Sequence, residues 1–292
     1  MALRQQCSGP VVDPEMIPAL PRPAFTTLAP NVVAAAAAVA PAPITPPQEQ
    51  TLDLGGGVML KLVRVAAEKP FWIGVCEVSN GQFRKFNPQH NSRYYQKRYP
   101  PLSSNAAKHI GPDALPLTLN DDRQPAVRVS WEQAQAFCRW LGEKTGRKIS
   151  LPSEAQWLCC AGKLDADFSR DANLADATFG KGLGPDGKQM TGGLEHLVLE
   201  GAALADAAHN DGHIVTAPIG SFRPNAWGLC DMFGNAAEWT RTPAGSGRYV
   251  VRGGSFFDAP RFATARTDYP AWQRVFNIGF RIVLEDAAAP PP

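Results

Sequence analysis

Three Ser-x-x-Gln steps constrain what this chain can fold into: Ser79–Gln82, Ser130–Gln133 and Ser153–Gln156. In such a step the serine side chain accepts the backbone N–H three residues on, and the glutamine reaches back to the serine N–H, so each step marks a helix start. The middle one opens SWEQAQAFCRWLGEKTG, where Ala134, Phe137, Cys138 and Leu141 recur at helical spacing and Gly146 supplies a stop. Around these starts lie short apolar runs. VMLKLVRVA, broken by Lys61 and Arg64, predicts a mostly buried strand; FWIGVCEV, RYVVRGGSF and GFRIVLE predict further short ones. Few helices, short strands and many turns amount to an α+β domain that is irregular and loop-rich.

The hydrophobic fraction of 44% is enough to bury a sizeable core, and only one core is visible. It is assigned to residues 53–286. Residues 1–52, with the run NVVAAAAAVAPAPITPPQEQ, read as a disordered Pro/Ala-rich leader, because repeated proline blocks pairing and few large side chains offset the cost of ordering. Residues 287–292 read as a disordered tail. The alanine run imitates a signal-peptide core, yet Asp13 and Glu15 precede it with few positive charges, so no convincing signal peptide is present. No apolar stretch reaches bilayer length. A net charge of +2 over mixed signs points to neither nucleic acid nor an anionic membrane. The stretch from Phe168 to His213, rich in Gly, Asp and Ala, predicts irregular surface loops.

Six cysteines are scattered without a C-x-x-C pair, and the adjacent Cys159 and Cys160 read as small buried hydrophobes of a helix. His209 and His213 stand four apart, but the intervening Asn-Asp-Gly argues for a solvated loop over a transition-metal pair. His196 and Glu200 read as one turn of a surface helix.

The segments FWIGVCEVSNGQF, PAVRVSWEQAQAFCRWL, LPSEAQW, TAPIGSFRPNAWGLCDMFGNAAEW, VVRGGSF and NIGFRIV occur in an order that resembles the formylglycine-generating-enzyme (sulfatase-modifying-factor) family over roughly residues 56 to 284. The resemblance implies that family's irregular, C-type-lectin-related fold and an extracytoplasmic location. In DMFGNAAE, Asp231 and Glu238 offer the hard carboxylate oxygens that calcium takes alongside backbone carbonyls. The resemblance places the ligands at the Asp231 side chain, the Gly234 and Ala236 carbonyls and the Glu238 side chain. A second implied calcium site uses Asn173, Leu174, Asp211 and His213. The alternative for the first loop is a tight Gly-Asn turn whose acids face solvent.

Family enzymes carry two cysteines after the Gly-Gly-Ser turn, which bind copper(I). Here the continuation is GGSFFDAPRFATAR, with no cysteine after Cys230, and aspartate is a hard donor that does not replace a thiolate. The expectation is therefore a calcium-held, non-catalytic binding or structural module, monomeric, taking a protein, peptide or small-molecule ligand. The alternative is an oxidoreductase of another branch of the family, pyoverdine-maturation-like or modifying cysteine to formylglycine through other ligands. A receptor diversified at its surface loop is a third option. Ser255, Phe257, Asp258, Arg261, Phe262, Arg266, Tyr269, Trp272 and Arg274 form the candidate ligand-binding surface, since exposed aromatic and arginine groups make good anchors. The competing reading turns these rings inward and ties the arginines to nearby carboxylates.

Overall fold

In the computed structural model, described over residues 47–95, 117–164, 168–177, 206 and 208–285, all three Ser-x-x-Gln steps are closed capping boxes. They start α1 (Asn80–Phe83), α2 (Trp131–Thr145) and α3 (Glu154–Ala161). Ala134, Phe137, Cys138 and Leu141 are the buried face of α2, and Gly146 ends it in the left-handed conformation.

The main sheet contains β1 (Glu49–Asp53), β2 (Met59–Val65), β3 (Phe71–Gly74), β6 (Ile149–Ser150) and β11 (Val283–Glu285) in the order β1-β2-β3-β11-β6, all antiparallel. β1 crosses the boundary expected at residue 52, because Glu49 to Asp53 pair in register with Val63 to Met59. The expected leader up to residue 46, the tail, and His196 with Glu200 lie outside the described residues.

Alternation along β2 sends side chains to two buried faces. Leu60 and Leu62 join Phe83, Phe137, Leu141 and Trp239 on one side, while Val63 and Val65 join Ile73, Trp157, Leu229 and Met232 on the other. The second sheet, β10-β7-β8-β9, is built from β7 (Ala237–Gly245), β8 (Arg248–Arg252), β9 (Thr267–Pro270) and β10 (Ile278–Gly279), with β10 parallel to β7. A two-stranded ladder joins β4 (Tyr94–Tyr95) to β5 (Leu117–Thr118). The result is mixed and loop-rich, with few helices, and among the described residues no helix is long and apolar enough to cross a membrane.

Candidate metal centre

The loop that leads into β7 is a run of left-handed residues: Asp231 (φ 57°), Gly234 (φ 73°) and Asn235 (φ 56°). Asp and Asn tolerate this region better than most residues, and glycine pays no steric cost there. The consequence is a backbone-on-backbone dock. A Cβ placed on Gly234 would lie 2.1 Å from the Asn173 carbonyl oxygen. The Asn235 N–H donates to that same carbonyl at 2.7 Å. The loop around residue 173 is thereby fixed to the loop at 231–236.

Asn235, fully buried, is the hub. Its Oδ1 accepts the Ala217 N–H at 2.8 Å and Asn173 Nδ2 at 3.2 Å, and its Nδ2 donates to Glu77 Oε1 at 3.1 Å. Glu77, at the end of the FWIGVCEV run, is 1% exposed and also accepts the Ala236 N–H. The sequence reading named neither residue for this site. Glu77 stands 158 positions from Asn235, and no local spacing announces such a contact.

Three buried carboxyl groups, Glu77, Asp231 and Glu238, surround one buried guanidinium, Arg281. Arg281 takes Glu238 for itself: Nη2 donates at 2.6 Å and Nε at 2.8 and 2.9 Å, while Trp157 Nε1 donates to Glu238 Oε2 at 2.9 Å. Burial works against the Arg281 charge, but the Glu238 carboxylate beside it more than offsets this and raises the pKa. Burial pushes Glu77 well above the usual carboxylate range, and the charges of Asp231 and Glu238 add to the shift. Asp231 is raised as well, chiefly by burial, against the pull of the Gly220 N–H at 2.7 Å. Glu77 Oε2 and Asp231 Oδ1 are buried and meet no N–H donor, and the two carboxyl groups lie close enough that a proton held on Glu77 bonds it to Asp231. A carboxylate oxygen in that position is costly unless a proton or a cation meets it.

Of the implied first ligand set, Asp231, Gly234 and Ala236 therefore lie together with an unmet oxygen, whereas both Glu238 oxygens are engaged by Arg281 and Trp157. The implied second set gathers too. Asn173 Oδ1 is buried without a partner, Leu174 N–H donates to Asp211 Oδ2 at 3.1 Å, and His213 N–H donates to Asp211 Oδ1 at 2.7 Å. Burial, with the fully buried Asp176 nearby, pushes Asp211 up to about 7. These donors are oxygens, the preference of a hard cation. Among the described residues no group of three or more His, Cys, Asp or Glu side chains can hold a metal, so a cation here needs amide and backbone oxygens as well.

The aromatic segment divides. Ser255 is fully buried and so lies beneath any surface: Oγ donates to Asp258 Oδ2 at 2.6 Å and accepts Asn277 Nδ2 at 2.8 Å. Phe257 is half-buried, edge-on to Phe276 at 5.3 Å, and Arg266 bridges to Glu154 at 3.0 Å. Tyr269 is half-buried on β9, 6.3 Å from the Trp239 ring. Arg261, with its guanidinium 4.8 Å from the Phe262 ring, Arg274 and Trp272, 58% exposed, reach the surface. Inward packing won where a cluster or a carboxylate was within reach. Cys160 is buried as expected. Cys159 is only half-buried, because it sits off the apolar stripe of α3, and its hydrogen bond with Cys160 lowers it to about 7. His209 Nδ1 lies at hydrogen-bond distance, 2.9 Å, from Asp206 Oδ2 on the loop.

Residues 56–286 match the family described as sulfatase-modifying factor enzyme 1-like domain. Formylglycine-generating enzyme of Bos taurus is 29% identical over 199 residues, 60% of this chain and 47% of that protein. A protein of Mus musculus named inactive C-alpha-formylglycine-generating enzyme 2 is 31% identical over 138 residues, 46% of this chain and 38% of the relative. The chain thus spans about half the length, or less, of these relatives. The solved structure of Treponema denticola variable protein 1 superposes with a TM-score of 0.56 at 17% identity, over 83% of this chain and all of that one, a likeness of fold. With nearly the whole described domain inside the match, the chain belongs to the sulfatase-modifying factor enzyme 1-like family.

Proposed function

We propose that this chain is a calcium-stabilised binding module of its family that performs no chemistry at the Gly-Gly-Ser turn. The observation that carries the reading is the segment from Gly253 to Arg281, which contains no cysteine. Its serine is spoken for: the buried Ser255 hydroxyl donates to Asp258 and accepts from Asn277 and from the Phe257 N–H at 3.3 Å. Hard oxygens in that turn do not hold copper(I).

Calcium suits the dock between residues 173 and 231–236. Asn173 and Asp211, with the Leu174 and His213 carbonyls, would hold one ion. Asp231, with the Gly234 and Ala236 carbonyls, would hold another, and the unmet Glu77 Oε2 supplies a carboxylate in place of Glu238, which Arg281 occupies. When bound, the ion supplies positive charge to buried carboxylates and closes long loops; the protein's own groups hold those loops in place around it. Arg261, Phe262, Trp272 and Arg274 offer the ligand, a protein, peptide or small molecule, a surface of rings and guanidinium groups.

The test is the mass of a Cys-x-Pro-x-Arg peptide after incubation with the folded protein, copper(I), oxygen and a reductant. An unchanged cysteine is expected. Its conversion to formylglycine sinks the non-catalytic reading.

A further inference from the structure

Cys76 and Cys230 come from distant parts of the chain, and their thiols hydrogen-bond each other. The backbones that carry them are tied. The Cys230 N–H donates to the Val75 carbonyl at 2.9 Å, and Arg281 grips both chains, with Nη1 on the Val75 carbonyl at 3.3 Å and Nη2 on the Cys230 carbonyl at 3.0 Å. The bond sets Cys230 against Val75, the chain neighbour of Cys76, which brings the two cysteines into reach of each other.

Access is also provided. Cys76 is half-buried and Cys230 is 9% exposed. Gly220 lies beside Cys76 Sγ, where an added methyl group would come to 3.4 Å, so on that side the thiol is covered by bare backbone and no side chain. The remaining described cysteines offer no comparable pair. Cys138 is enclosed in the α2 core, and Cys159 and Cys160 are helix neighbours, whose Cα atoms about 3.8 Å apart lie too close for an unstrained bridge.

We propose that Cys76 and Cys230 are a modification site, a dithiol that a small disulfide such as glutathione disulfide converts reversibly to a Cys76–Cys230 cross-link. One thiol displaces a glutathione thiol from the oxidant, forming a mixed disulfide. The second then displaces the other glutathione. One S–S bond breaks and one forms, the two thiol protons pass to the two glutathione thiols, and the protein loses two electrons to the oxidant. The cross-link ties the end of β3 to the residue before Asp231, and its formation does not depend on calcium being bound.

The experiment equilibrates the full chain in glutathione buffers of increasing oxidised fraction, quenches with acid, alkylates, and maps peptides by mass without reduction. A Cys76–Cys230 linked peptide that dominates in oxidised buffer and disappears with added thiol is the expected result. Cys76→Ser, whose shape is nearly unchanged, should abolish the linked peptide and leave Cys230 alkylated or singly glutathionylated. Persistent mixed glutathione adducts on both cysteines of the unmodified chain, or two alkylated cysteines throughout, overturn the proposal. So does a dominant bridge from either one to another cysteine.

Discussion

Arg281 is fully buried, yet it is better supplied with partners than most surface arginines, for it takes both oxygens of Glu238 and the carbonyls of Gly74, Val75, Cys230 and Asp231. A buried ion pair of this kind contributes little net stability relative to apolar packing, but leaving one partner alone is severely destabilising. It therefore acts as a fixed point from which the neighbouring loops are hung. His90 is a buried group of the opposite kind, held neutral. Its Nε2 lies 3.1 Å from Ser92 Oγ, its ring meets Phe83 edge-on at 4.7 Å, and burial, with the charges of Arg84 and Arg274, lowers it to about 4. The folded pKa is below the unfolded one, so between the two the unfolded chain binds the extra proton and stability rises with pH. The expected outcome is full stability above about pH 6.5 and a loss of up to about 3 kcal/mol as pH falls toward 4. Urea titrations at stepped pH measure it, and in His90→Gln that part of the slope should vanish. An equal slope in the variant assigns the acid sensitivity elsewhere.

Among the elements, the loop into β7 depends on a residue without a side chain. Gly234→Ala places a methyl group where the Asn173 carbonyl stands and adds left-handed strain, so the docked loops must part. A cost of about 3 kcal/mol or more is expected from strain and overpacking together, read as a lower urea midpoint. A midpoint within error of the parent chain would mean that the dock is dispensable. The helices were legible in the sequence and this dock was not, for one physical reason. A capping box is decided within four residues, so Ser79, Ser130 and Ser153 each declare a helix start locally. Strands β2, β3, β8 and β11 declared themselves by apolar runs, whereas β1, which starts in the stretch read as leader, did not. Asp231, Gly234 and Ala236 were named from their motif, but motif spacing does not reveal that Arg281 claims Glu238 or that Glu77 joins the buried carboxyl cluster. Those contacts join residues 43 and 158 positions apart and exist only once β3, β7 and β11 have been brought together. The surface segment failed in part for the same reason: whether Arg266 is free depends on Glu154, which lies on α3.

Across the molecule, two apolar clusters flank the main sheet, and the loops at 168–177 and 208–236 join one of them through Phe168, Leu174, Leu229, Met232 and Phe233, while Asn173, Asp211 and Asn235 tie the two loops to each other by polar contacts. Against that apolar packing, the unmet oxygens of Glu77, Asp231 and Asn173 oppose the closure of these loops. In the proposed calcium-bound form a divalent cation would reverse that sign, since a ligand that binds only the folded state stabilises it by mass action. At a hundredfold excess over its dissociation constant one ion contributes about 2.7 kcal/mol. The melting temperature is therefore expected to rise with calcium and to fall in a chelator. Asp211→Asn should remove one part of the rise and Asp231→Asn the other. The two variants separate the sites, because each leaves the other's oxygens in place. Melting curves that coincide in calcium and in chelator would mean that protons alone satisfy the buried carboxyl groups, and the loops would then owe their closure to Arg281 and Asn235 without an ion.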